Sequence, residues 1–95
     1  MEIQITKNAE KSYFEIISRY SEIKASLFSR KTIFVLDIIK QNSHIGQIYL
    51  KTPYRKFLLT EEVYIFYKIE SDIIYIVLFW DNKRSPLNLD VILHS

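Results

Sequence analysis

The chain has 95 residues and a net charge of +2, with 48% hydrophobic and 25% charged residues. These values exclude a disordered chain and predict one globular domain, residues 1–95. The absence of cysteine excludes disulfides and thiolate chemistry. The start lacks the basic flank and apolar run of a signal peptide, and no apolar run reaches the roughly 18 residues of a membrane span, so we expect a cytoplasmic protein.

The N-terminal half predicts one short strand and two helices. The stretch "EIQIT" (2–6) alternates polar and apolar residues, as a half-buried strand does. Apolar residues then recur at helical spacing over residues 8–24, and a second amphipathic helix is predicted over residues 26–42. The stretch "NSHIG" ends the second helix and contains the single glycine, Gly46. Two adjacent helices with a short link form an αα-hairpin.

The C-terminal half predicts strands, because β-branched and aromatic residues recur there at every second position. The candidate strands are "QIYL" (47–50), which is weak, "YRKFLLT" (54–60), "VYIFYKI" (63–69) and "IIYIVLFW" (73–80). Short turns between them indicate antiparallel hairpins. The last strand is apolar on both faces, so it should be central, with the N-terminal strand beside it or "PLNLDVIL" (86–93) folded across it.

The element order β-α-α-β-β-β, with a further short strand, predicts an α+β fold of two layers. A helical hairpin would pack on one face of an antiparallel sheet. The period of two places Tyr64 and Phe66 on one face of the sheet and Ile65 and Tyr67 on the other. If helices cover only one face, the other face should lie open.

Several kinds of chemistry are excluded by the residue inventory. One glycine excludes a phosphate-binding loop and a dinucleotide fingerprint, since both need several. His44 and His94 have no acidic residues at ligand spacing, so we predict no metal and no cofactor. The carboxylates of Glu61 and Glu62 fall in a hairpin turn, where solvated charges are expected. The aromatic residues could stack on bases, but core packing explains them better because the RNP-type signature is absent.

Basic residues are concentrated in two stretches. "KTPYRK" (51–56) carries three positive charges, and "NKR" (82–84) adds two more directly after Trp80 and Asp81. In one interpretation these residues form a basic lip that contacts a target, with Asp81 orienting Arg84 through an ion pair. In the other interpretation Asp81 makes turn hydrogen bonds and Trp80 packs in the core.

Residues 54–89, "YRKFLLTEEVYIFYKIESDIIYIVLFWDNKRSPLNL", resemble the C-terminal sheet of the RelE/ParE family of bacterial type II toxins. The matching features are the Arg-x-Phe-Leu-Leu strand at 55–59, the hairpin at 64–77 and Trp-Asp-Asn-x-Arg-x-Pro at 80–86. The "HIG" of residues 44–46 stands where the family has "PELG"-like sequence. With the helical hairpin included, the resemblance covers nearly the whole chain.

The resemblance implies one strand, a helical hairpin and an antiparallel sheet whose last strand is central. It also implies a toxin of a plasmid-stabilising toxin–antitoxin module that inhibits growth and is silenced by a cognate antitoxin protein. RelE-like members cut messenger RNA on the ribosome without a metal, whereas ParE-like members poison DNA gyrase. The resemblance therefore leaves two target classes open.

The residues that RelE-like nucleases share are only partly present. Where those nucleases open the third sheet strand with Arg, this chain has Tyr64, although Tyr67 matches the following Tyr of the pattern. Arg84 matches the Arg after the last strand, but Asp90 stands near the position of a Tyr or His, and His94 follows four residues later. Metal-free cleavage relies on fixed cations around the phosphate, so the missing cation favours a gyrase-type or atypical toxin over a competent ribosome-dependent nuclease and leaves enzyme activity open.

The residues that we predict to bind the target are Arg55, Lys56, Tyr64, Trp80, Asp81, Lys83 and Arg84. The resemblance implies no catalytic assignment among them. The alternative function is a non-toxic protein-binding module that keeps the fold without the activity. The basic lip favours a toxin, because an inert relic has no need to keep Arg55, Lys56, Lys83 and Arg84 together.

Overall fold

The computed structural model describes residues 1–84 together with Leu89, Ile92 and Leu93. Its elements are β1 (Glu2–Ile5), α1 (Lys7–Ile17), α2 (Glu22–Gln41), β2 (Gln47–Ile48), β3 (Arg55–Thr60), β4 (Val63–Glu70) and β5 (Ile73–Asp81). The predicted α+β class and the predicted order of elements are confirmed. None of the helices in this part of the chain is long and apolar enough to cross a membrane.

The sheet has five strands in the order β1-β5-β4-β3-β2. The strand pairs β2–β3, β3–β4 and β4–β5 are antiparallel. Strand β1 pairs parallel with β5, with Glu2 opposite Ile73 and Ile5 opposite Ile76. The prediction that β5 has neighbours on both edges is confirmed. The parallel direction of β1 was not predicted, because no local turn links β1 to β5.

The boundary between the two helices differs from the prediction. α1 ends at Ile17 and α2 begins at Glu22, whereas a helix over 8–24 and a second over 26–42 were expected. The cause is Ser21, whose hydroxyl accepts a hydrogen bond from the Lys24 N–H at 3.1 Å and caps α2. A serine at this position, four residues after α1 ends, stabilises the start of a new helix at Glu22.

The main core lies between the helices and one face of the sheet, which we call the helix face. From the sheet it contains Leu59, Val63, Ile65, Tyr67, Ile74, Ile76 and Phe79, and from the helices Ala9, Ile16, Phe28, Val35 and Ile39. Three apolar residues of α2 are exposed: Leu27 by 59%, Ile33 by 69% and Phe34 by 61%. The reason is that α2 is apolar around most of its circumference, while only one stripe meets the sheet.

The opposite side of the sheet, which we call the far face, has a second apolar cluster. Phe66, Leu78 and Trp80 are buried there beneath Leu89 and Leu93. The far face therefore does not lie open, and the expectation that the stretch 86–93 folds across the last strand is met at Leu89 and Leu93. Tyr64 and Phe66 do share this face, as the period of two predicts, and Ile65 and Tyr67 face the helices.

Candidate functional site

A β-bulge in β5 decides which side chains reach the far face. Phe66 lies opposite Leu78 and Tyr67 lies opposite Ile76, so Val77 is an extra residue in β5. The extra residue shifts the alternation by one. Phe79 consequently packs on the helix face, while Trp80 lies on the far face.

The bulge also leaves a backbone N–H of β5 beyond the end of β1, and α1 supplies its acceptor. The Phe79 N–H donates to the buried Ser12 hydroxyl at 2.9 Å, and that hydroxyl donates to the Ala9 carbonyl at 2.8 Å. At the start of α1, the Thr6 hydroxyl donates to the Ile76 carbonyl at 3.0 Å. α1 is thus hydrogen-bonded directly to the strand that carries the predicted site.

Trp80 and Arg84 form a pair on the far face. Trp80 lies opposite Tyr64 across β4 and β5 and is 3% exposed. The Arg84 guanidinium carbon lies 4.8 Å from the centre of the Trp80 ring, in a cation–π contact. Trp80 is therefore a packed platform for Arg84 rather than an exposed stacking surface.

Lys56 lies on the same face, opposite Phe66 of β4. Its Nζ atom lies 5.1 Å from the centre of the Tyr64 ring and 5.9 Å from that of Tyr49. The Tyr49 ring in turn meets Phe66 edge to face, with 5.2 Å between ring centres. Lys56, Tyr64, Trp80 and Arg84 form one continuous group, which we call the cation–aromatic row.

Asp81 and Lys83 lie outside the cation–aromatic row. The Asp81 carboxylate accepts a hydrogen bond from the Arg19 guanidinium at 3.2 Å and one from the Lys83 N–H at 2.9 Å. The Lys83 Nζ atom lies 3.9 Å from the Glu62 carboxylate. The expected ion pair between Asp81 and Arg84 is wrong, because the alternation of β5 turns Asp81 towards α1 and Trp80 away from it.

Arg55 is held by backbone at the end of α2. Its guanidinium donates to the carbonyls of Gly46 at 2.8 Å and His44 at 3.3 Å. Next to it, the buried Tyr67 hydroxyl accepts from the Gly46 N–H and donates to the Ser43 carbonyl, both at 2.8 Å. Burial raises the pKa of the Tyr67 hydroxyl, against the smaller opposing effects of the Gly46 N–H and Arg55. Arg55 and Tyr67 together hold the loop of residues 43–46, and we call this arrangement the loop clamp. Arg55 therefore lies in the loop clamp and not in the cation–aromatic row.

Sequence reasoning missed two residues that surround the site. Tyr49 was assigned only to a weak strand, and its contact with Phe66 was not predicted. Arg19, the partner of Asp81, offered no signal, because the two residues lie far apart in the sequence. Arg19, Asp81 and Arg84 line a cleft of about 260 Å³ between α1 and the end of β5.

The cation–aromatic row holds the positive charges of Lys56 and Arg84 over aromatic rings. In the described part of the chain, no three His, Asp or Glu side chains come together in a way that could hold a metal ion. The described residues do not include Pro86, Asp90 and His94, which were expected in or after the last turn. The cation–aromatic row can bind phosphates or carboxylates through Lys56 and Arg84.

Comparison with known proteins gives structural matches only. No protein-family model matches the chain, and no curated protein matches it. A copper-bound mutant toxin from Helicobacter pylori superposes with a TM-score of 0.67 and 11% identity, over 87% of this chain and 96% of that one. The YoeB–YefM complex from Staphylococcus aureus matches with a TM-score of 0.59 and 19% identity, over 83% of this chain and 93% of the other. At these identities the likeness establishes the fold, and the chain therefore has the RelE-like two-layer α+β fold.

Proposed function

We propose that this protein is the toxin of a bacterial type II toxin–antitoxin module and inhibits growth by acting on DNA gyrase or on translated messenger RNA. The observation that carries the proposal is the fold, which is shared with a Helicobacter pylori toxin and with the YoeB–YefM complex over more than four fifths of this chain. The match also covers 96% and 93% of the two matched chains, so the likeness extends over whole molecules.

The cation–aromatic row is the proposed target-binding surface. Lys56 and Arg84 both approach aromatic rings, which hold the cations in place without neutralising them. An arginine can grip a phosphate or a carboxylate with two parallel hydrogen bonds. This chemistry suits both an RNA backbone and an acidic surface of gyrase.

Gyrase is the target that the row favours. Tyr64 occupies the position at which the resemblance implies a third cation for RNA cleavage, and its neighbours on the row are Lys56 and Trp80. Metal-free cleavage needs preorganised positive charge around the phosphate, and a tyrosine supplies no positive charge. Binding to a protein surface makes no such demand.

A neutralising antitoxin is the proposed partner. Exposed apolar side chains on both helices would be covered by it: Phe14, Ile23, Leu27, Ile33 and Phe34 are each more than half exposed. The YoeB–YefM complex, which shares the fold, is itself a complex of two proteins. A partner that covers these side chains removes the apolar surface from water.

The test uses the purified protein on both target classes. Inhibition of DNA supercoiling by purified gyrase, with ribosome-bound messenger RNA left uncut, is the expected result. Cleavage of ribosome-bound messenger RNA with unaffected gyrase would support the proposal of a toxin but would replace gyrase by messenger RNA as the target. If neither target responds, the alternative of a non-toxic binding module replaces the proposal.

A further inference from the structure

The Asp81 carboxylate is held at both of its oxygen atoms. Its Oδ1 atom accepts a hydrogen bond from the Lys83 N–H at 2.9 Å, and its Oδ2 atom accepts one from the Arg19 guanidinium at 3.2 Å. The Asp81 side chain is only 13% exposed, whereas that of Arg19 is 56% exposed. Arg19 follows α1 in the chain, so this carboxylate joins the helix layer to the end of β5.

Arg84 lies next to this carboxylate without pairing with it. The Arg84 N–H donates to the Asp81 carbonyl at 3.0 Å, so the two residues close one tight turn. The Arg84 side chain borders the cleft of about 260 Å³ that Arg19 and Asp81 line, and also a second cleft of about 320 Å³ beside Leu78. Its guanidinium nevertheless contacts the Trp80 ring. The ring and the carboxylate are therefore two alternative sites for one guanidinium.

Loss of the Arg19 side chain would leave Asp81 Oδ2 without its partner. A carboxylate that is largely removed from water is destabilising unless a cation accompanies it. The Lys83 Nζ atom already lies 3.9 Å from the Glu62 carboxylate. Among the described residues, Arg84 has no carboxylate oxygen within 4.0 Å, and it borders the same cleft. Arg84 is therefore the cation that the unpaired carboxylate would attract.

We propose that Arg19 is a positioning residue for the target-binding surface. By occupying the Asp81 carboxylate, Arg19 leaves the Arg84 guanidinium in the cation–aromatic row, where it binds the target. Without Arg19, the Arg84 guanidinium turns from the Trp80 ring into the cleft and pairs with Asp81. The row then keeps one of its two cations, Lys56. The inference rests on the proposed function, which assigns target binding to this row.

The first readout is the position of the Arg84 side chain in the isotope-labelled full chain. An aromatic ring shifts the NMR signals of protons that lie over it upfield, and Trp80 is the single tryptophan. Arg19→Ala should abolish the upfield shift of the Arg84 side-chain protons. Arg19→Lys keeps a cation at Asp81 and should preserve most of that shift.

The second readout is a suppressor variant. Asp81→Asn keeps a side-chain oxygen for the Lys83 N–H but has no charge with which to attract Arg84. Arg19→Ala combined with Asp81→Asn should therefore restore the upfield shift. Arg19→Ala combined with Glu15→Gln is the matched control, because Glu15 also lines the cleft, and it should restore nothing. A purely stabilising role of Arg19 does not predict this rescue.

The third readout is inhibition of DNA supercoiling by purified gyrase, or cleavage of ribosome-bound messenger RNA if that is the activity. Arg19→Ala should raise the protein concentration needed for half of the effect at least about tenfold, as the loss of a hydrogen bond to a charged group does. Adding Asp81→Asn should reverse most of this rise. Arg30→Ala is the control for net charge, since Arg30 is exposed on α2, and it should change nothing. Melting curves establish that each variant is folded.

Three results overturn the inference. They are an unchanged Arg84 shift in Arg19→Ala, no rescue by Asp81→Asn in a folded double variant, and equal rescue by Glu15→Gln. Loss of inhibition in Arg19→Ala with Arg84 still over Trp80 also overturns it, because Arg19 would then contact the target itself. The NMR readouts need no target. If they come out as expected while the unmodified protein affects neither gyrase nor messenger RNA, the proposed function fails and the positioning of Arg84 by Arg19 stands.

Discussion

Arg84 and Lys56 differ from the other basic residues of the site in what holds them. Each lies over an aromatic ring, Trp80 or Tyr64, whereas Arg19 is paired with a carboxylate. A ring attracts a cation by its quadrupole and leaves the positive charge available to a further anion. A carboxylate cancels that charge. At the scale of single residues, the two cations held by rings are therefore the ones suited to bind an anionic target.

Arg84→Ala should relieve growth inhibition while changing the free energy of unfolding by at most about 1 kcal/mol, because the side chain is exposed. Growth curves after induction and thermal melting curves check both parts. Lys83→Ala is the matched control, since Lys83 is the adjacent exposed cation but lies beside Glu62. Full toxicity of Arg84→Ala with an unchanged melting temperature would remove Arg84 from the target-binding surface.

Gly46→Ala should lower the free energy of unfolding by about 1–3 kcal/mol, as overpacking does. A Cβ atom at Gly46 would lie 2.6 Å from the Tyr67 hydroxyl oxygen and 2.7 Å from its Cε1 atom. Urea denaturation measures the change. Because Tyr67→Phe removes the first of these close contacts, the double variant should lose less than the sum of the two single variants. If the losses in the free energy of unfolding were strictly additive, the close packing of Gly46 against the Tyr67 hydroxyl in the loop clamp would be contradicted.

At the scale of elements, the bulge at Val77 organises the site. It moves Trp80 to the far face and Phe79 to the helix face, and it leaves the Phe79 N–H to be satisfied by Ser12 of α1. Strand and helix are therefore coupled through one buried hydroxyl. The coupling fixes the end of β5 from which Asp81 and Arg84 follow.

Ser12→Ala should lower the free energy of unfolding by about 1–3 kcal/mol, since the buried Phe79 N–H loses its acceptor. Chemical denaturation measures the loss. Ser18→Ala is the control, because the exposed Ser18 hydroxyl makes only a local bond to the Glu15 carbonyl at 2.8 Å, and its change should stay within about 0.5 kcal/mol. Equal effects of the two variants would show that the bond to β5 contributes nothing.

β5 should be the strand whose amides exchange most slowly with solvent. Ile74 and Ile76 are fully buried and lie between β1 and β4, whereas Gln47 and Ile48 form the short outermost strand β2. Hydrogen exchange followed by NMR gives the comparison residue by residue. If Ile74 and Ile76 exchanged as fast as Gln47 and Ile48, the observed strand order would be contradicted.

The strands and the layer arrangement were predictable from the sequence because hydrophobic periodicity is a local property. The helix boundary was not predicted, because the apolar spacing continues past Ile17 while a single hydroxyl, that of Ser21, starts the next helix. For Trp80 and Asp81 the sequence left two interpretations open, and the structure agrees with the one in which Trp80 packs in the core and Asp81 makes turn hydrogen bonds. The bulge at Val77 inverts their faces, and a bulge is set by the packing of β5 against α1 and β4 rather than by alternation along β5.

At the scale of the whole molecule, the cation–aromatic row and the exposed apolar side chains of α2 belong to different layers. The row lies on the far face of the sheet, where Lys56 contacts Tyr64 and Arg84 contacts Trp80. The exposed apolar side chains of α2, among them Phe34, belong to the helix layer. A single protein partner that neutralises the row and also covers these side chains must therefore contact both layers.

The central claim, a growth inhibitor neutralised by a protein partner, is tested most directly by induced expression in a bacterial host. The chain is expressed alone and together with the product of the reading frame adjacent to its gene, and colony formation is counted after induction. The account predicts growth arrest by the chain alone and recovery when the adjacent product is present. Unimpaired growth with the chain present as folded protein would contradict the account.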